Sequence, residues 1–180
     1  MPLMFSFLWT RSVYAGKKDF FNFILAVSWL IFYPDAPYMV TDLIQIGTYE
    51  YPNGQAASPN PTAWLGFTHI SASVLIGCAM GCLSLYLVHS LVHHKKGSTW
   101  AWIFSAIVSL LSGVGIFIGR FMRFNSWDVL HRPFELMQQL AQRPNGQVIG
   151  FCLLFTGITF GMYFLFYLAF HAPENTQTNN

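Results

Sequence analysis

The chain has 180 residues, of which 54% are hydrophobic and 9% charged, and its net charge is +2. Soluble domains carry charge on about a quarter of their residues, so this balance excludes an ordinary water-soluble domain and points to an integral membrane protein. The small net charge argues against nucleic-acid binding, and no Gly-rich phosphate loop, Walker-type motif or dinucleotide fingerprint is present, so no cofactor is expected.

The N-terminal patch Leu3 to Trp9 is apolar but too short to span a bilayer, and no basic segment precedes it as in a cleaved signal peptide. Arg11, Lys17 and Lys18 mark a water-facing flank. The first span is expected over about 20–33, short but extended by snorkelling of the two lysines. The prolines of Y-P-D-A-P-Y should end that helix and open a long loop, from Pro34 to Pro61, which has no Lys or Arg. Within it Thr41 is a candidate cap for a short helix beginning at Asp42.

The second span is expected over about 64–88 and the third over about 100–121, joined by a short basic loop containing His89, His93, His94, Lys95 and Lys96. This loop reads as a topology determinant near anionic lipid and not as a metal site. His69, near the start of the second span, reads as a buried, hydrogen-bonded histidine, with a proton relay as the alternative. Small residues recur as Ser73-Gly77-Gly81, Ser105-Ser109-Gly113 and Gly157-Gly161, and such stripes let helix backbones approach closely. Cys78, Cys82 and Cys152 fall inside spans and read as apolar packing residues. Phe134 to Gln142 has the pattern of an amphipathic interfacial helix, and the last span is expected over about 148–170. The fold class is therefore an all-α, membrane-embedded four-helix bundle with an additional interfacial amphipathic helix, in one domain.

Between the third span and the amphipathic segment lies G-R-F-M-R-F-N-S-W-D-V-L-H-R-P, which holds three of the nine Lys and Arg residues. Charge near lipid is costly, so a cluster there is a candidate site. With four spans, the segments after the first and third face the same side. One brings Asp35, Tyr38, Thr41 and Asp42, and the other brings Arg120, Arg123, Asn125, Ser126, Trp127, Asp128 and His131. Arg120 and Arg123 can snorkel to lipid headgroups, pair with Asp42 or Asp128, or bind an anionic group. Asp128, His131 and Glu135 have helical spacing, but Pro133 interrupts their face and no H-E-x-x-H accompanies them, so no metal is expected. Ser126 has no adjacent base that would make it a nucleophile, and N-capping suits it better.

These two stretches, P-D-A-P-Y-M-V-T-D and G-R-F-M-R-F-N-S-W-D, resemble a bacterial domain-of-unknown-function family of multi-pass membrane proteins. Its members carry N-A-P-Y-x-x-T-D after one apolar span and G-R-F-x-R-x-N-S-W-D after another. This chain departs at Asp35, where the family usually has Asn. The resemblance runs from about Phe20 onwards and implies a bacterial cell-membrane location and no established activity.

Orientation rests on a nearly even count of five basic residues against four, and the first flank places the N-terminus in the cytoplasm. The leading functional reading is a membrane protein whose polar cluster is structural or binds an anionic ligand or lipid headgroup, as an accessory subunit in one version. The alternatives are an enzyme acting on a lipid or lipid-linked substrate and a transporter component. Membrane lipids are the expected partners, with a homo-oligomer or a larger membrane complex as further options.

Overall fold

The structure, a computed structural model, describes residues 1–16, 18–48, 61–122 and 146–171. All the described regular structure is helical: α1 (Pro2–Tyr14), α2 (Asp19–Phe32), α3 (Asp35–Tyr38), a 3-10 helix (Met39–Thr48), α4 (Pro61–Lys96), α5 (Ser98–Phe117), a π-helical turn (Ile118–Met122) and α6 (Gly146–His171). Among the described residues, four stretches are long and apolar enough to cross a membrane: Asp19–Ile44, Trp64–Lys96, Ser98–Phe121 and Gly146–His171. The chain is thus an all-α bundle of membrane-spanning helices. The amphipathic segment expected over Phe134 to Gln142 lies outside the described residues.

The N-terminal patch is more than a flank. It forms α1, which turns back through Gly16 at φ +65° and packs against α2 and α4. A relay of hydrogen bonds binds the three helices. Trp29 Nε1 donates to Ser84 Oγ at 2.8 Å, Ser84 Oγ donates to Ser6 Oγ at 3.1 Å, and Ser6 Oγ donates to the Leu3 carbonyl at 2.9 Å. Every donor in that relay finds an acceptor, as burial in lipid demands. Hydropathy scanning passes over such a helix because 13 residues are too few to span.

The prolines after α2 bend the chain without ending its helical course. Pro34 and Pro37 lack an amide hydrogen, so hydrogen bonding shifts register: Ala36 N–H donates to the Tyr33 carbonyl at 3.2 Å, and Tyr38 N–H to the Pro34 carbonyl at 2.9 Å. The expected long loop is therefore helical as far as Thr48. Thr41 is no helix cap, since its hydroxyl donates back to the Tyr38 carbonyl at 2.7 Å within the run. This segment lies along α4. A β-carbon on Gly81 would stand 2.8 Å from that of Ala36, and one on Gly77 would collide with the Met39 side chain.

The basic stretch after the second span is not a loop. His89, His93, His94, Lys95 and Lys96 continue α4, and Gly97 alone separates it from α5. Histidine and lysine are tolerable in a helix, whereas Gly97 adopts φ +93°, which a side chain would strain. Along α5, Ser105, Ser109 and Ser112 each donate to the carbonyl four residues earlier, at 3.0, 2.9 and 2.8 Å. Their hydroxyls are thereby satisfied inside the bundle. Gly113 brings α5 onto α6, where an added β-carbon would collide with the Cys152 carbonyl.

Two of the three small-residue stripes therefore face protein. The third does not: Gly157 and Gly161 of α6 have open space where a β-carbon would stand. Helix α6 meets α5 with another face, through Phe155, Thr159 and Tyr163. Cys78 and Cys82 are buried free thiols, and Cys152 is half-buried.

Candidate functional site

The chain turns irregular at two neighbouring places, and these carry the charges. Helix α5 passes into the π-helical turn Ile118–Met122, which presents Arg120. Such turns open the helical ladder and recur at functional sites. Pro34 rests against Gly115, one helical turn and a half before Arg120, where an added β-carbon would stand 3.1 Å from the proline ring. The 3-10 helix that follows brings Asp42 to Arg120, with Nη1 3.7 Å from Oδ1. The side chains are 29% and 35% exposed, so the pair sits at the rim and not in the core.

Of the sequence-derived candidates, Asp42 and Arg120 are in contact. Thr41 is buried one residue before Asp42, while Tyr38 is half-buried. Asp35 is exposed, on α3, next to the Ala36 contact with Gly81. Arg123, Asn125, Ser126, Trp127, Asp128 and His131 lie outside the described residues. His69 is exposed on α4 with its carbonyl accepting from Ser73, which overturns the buried reading. Helix α4 is 36 residues long, about 54 Å, which exceeds the roughly 30 Å hydrocarbon layer.

At a separation of 3.7 Å the guanidinium and carboxylate attract each other without a short hydrogen bond, which would need about 2.7–2.9 Å. Arg120 thus keeps donors available for a further acceptor. Among the described residues, no group of three or more His, Cys, Asp or Glu could hold a metal ion. A groove of about 590 Å³ between α1 and α4, with Met4, Phe7, Met80 and Leu83 on its walls, is almost wholly apolar and offers nothing to hold a polar ligand.

A comparison with known families matches residues 1–162 to the model described as "Protein of unknown function (DUF1361)". The chain belongs to this family. The match begins at residue 1 and so takes in α1, further than the motif resemblance extends. Neither the curated proteins nor the solved structures contain a match to the chain.

Sequence reasoning misplaced one polar group, reading His89 as part of a water-facing basic loop. His89 is 2% exposed, and its Nδ1 lies 3.0 Å from Ser105 Oγ. A run of histidines and lysines resembles a solvated helix end, so the sequence signal for burial was only the position of His89 on the face of Leu85 and Val88.

Proposed function

We propose that this member of the family resides in the bacterial cell membrane with its N-terminus in the cytoplasm. We further propose that the Arg120–Asp42 end binds the anionic headgroup of a membrane lipid. One observation carries the reading: Arg120 is held at the rim on a π-helical turn, 29% exposed, with its carboxylate neighbour too distant for a short hydrogen bond. An arginine committed to holding the fold together would be expected in a close, bidentate, buried pair. A guanidinium at the membrane edge with donors to spare suits a phosphate oxygen. Asp42 orients the side chain and restrains its charge until a stronger acceptor arrives. Arg123, Asn125 and Asp128 follow in sequence and belong to the same reading.

The test is lipid retention by the purified full-length protein, read by native mass spectrometry after exchange into mixed anionic and zwitterionic phospholipid. Preferential retention of the anionic lipid is expected, weakened about tenfold by Arg120→Gln, the loss of about one charge-assisted contact. Equal retention of both lipids, or no change in Arg120→Gln, overturns the reading.

A further inference from the structure

We propose that His89 is a proton-binding site inside the bundle, loaded from the end opposite Arg120 by way of His93. The imidazole is held by one hydrogen bond, to Ser105. Ser105 Oγ gives its proton to the Ala101 carbonyl at 3.0 Å, and in that arrangement Nδ1 of His89 carries the hydrogen and donates across the 3.0 Å contact. Nε2 is then a lone-pair acceptor. It is buried and has no hydrogen-bond partner among the described residues, and the same holds for the hydroxyls of Tyr163 and Thr159 on α6. Unsatisfied buried polar atoms are rare in native proteins and call for an explanation. A site made to take up a proton supplies one, because its acceptor must be unoccupied in one of its two states.

The surroundings suit a group that changes charge. The His89 ring lies 5.0 Å from Trp102, 5.2 Å from Tyr167 and 5.7 Å from Tyr163, measured between ring centroids. Aromatic rings at such distances attract a cation without bringing a fixed charge into the bundle. The ionisable groups facing His89 are His93 on its own helix and His171 on α6, together with the tyrosines of α6. Helix α5 contributes Ser105 and Trp102, neither of which titrates in this range.

A route to water is built in. His93 is exposed, one turn further along α4, and its ring stacks on that of His89 at 6.5 Å with planes 11° apart. His93, at the exposed end of this pair, is the group through which His89 exchanges its proton with solvent. Release runs the same way in reverse. His171 is tied to the Tyr167 carbonyl through Nδ1 at 3.1 Å and borders the same box.

The test is nitrogen-15 magnetic resonance of histidine-labelled full-length protein in lipid nanodiscs, titrated from about pH 8 down to about pH 4. His89→Asn identifies the signal and keeps a donor toward Ser105. The expected result begins with an Nδ1–H tautomer at high pH. On acidification the Nε2 signal should convert to the protonated form while the backbone spectrum persists. His93→Gln should leave the fold intact and slow exchange between the two forms, splitting one averaged signal into two. A His89 signal that stays in one form for as long as the fold persists overturns the proposal. So does the opposite tautomer, and so does exchange unaffected by His93→Gln. The wild-type titration stands even if His89→Asn fails to fold, since the buried signal is then identified by its response to Tyr163→Phe.

Discussion

At the end of the bundle that carries Arg11, Lys18 and Lys96, polar atoms lie inside and charges outside. His89 is 2% exposed and anchored to Ser105, while Lys95 and Lys96 reach outward, Lys96 with its ammonium 5.9 Å from the Trp100 ring centre. At the other end the charges sit on the irregular backbone itself: Arg120 on a π-helical turn and Asp42 on a 3-10 helix, each about a third exposed. The first arrangement makes contacts whose geometry is settled by packing. The second holds charge at the rim, in an ion pair too long for a short hydrogen bond. Stability should therefore reside in the interior contacts, and recognition at the rim.

The strongest challenge to that division is Trp29→Ala. Trp29 is 1% exposed, packs its ring tilted against Tyr33 at 5.1 Å and starts the relay through Ser84 and Ser6. Its loss should cost about 3–5 kcal/mol in reversible unfolding from detergent micelles, and would also strand the Ser84 hydroxyl. A cost near that of a surface change would remove the interior relay from the account of stability.

The next effect concerns α5 and α6. Gly113→Leu forces a side chain against the Cys152 carbonyl and the Thr156 side chain and should destabilise by about 1–3 kcal/mol. Gly157→Leu enters open space and should be nearly silent in the same melting assay. Equal losses at both positions would mean that α6 packs with the other face.

The smallest effect is expected at the rim. A double-mutant cycle of Arg120→Gln and Asp42→Asn should give a coupling of about 0–1 kcal/mol in folding stability, the range for exposed pairs. A coupling of about 3 kcal/mol would mark a buried structural pair. It would move Arg120 from recognition to architecture.

The spans were legible because long apolar stretches have few fates, and the stripes at Gly77-Gly81 and Ser105-Ser109-Gly113 because small residues at one-turn spacing favour close approach. Which side of a helix meets protein is another matter. Gly157 and Gly161 carry the same pattern, yet α6 turns Phe155, Thr159 and Tyr163 inward, a choice made by aromatic packing across helices. The relay from Trp29 to Ser6 joins residues far apart in sequence, and His89 depends on Ser105, on the next helix. Of the candidate site, span parity and charge placed Arg120 and Asp42 on one side but left open whether Arg120 or Arg123 would meet Asp42 or Asp128. The exposure of the pair was not legible, because that depends on how the proline-bent segment lies along α4.

Gly97 has a consequence for the order of assembly. A single residue between α4 and α5 leaves almost no loop to close, so the entropic cost of bringing these two helices together is small. Contacts across that hairpin, such as His89 to Ser105, are only 16 residues apart in sequence. Ser6 and Ser84 are 78 apart. Folding speed favours near neighbours. The hairpin of α4 and α5 should therefore form first and act as the template on which the N-terminal helices and α6 settle, with His89 already seated when they arrive.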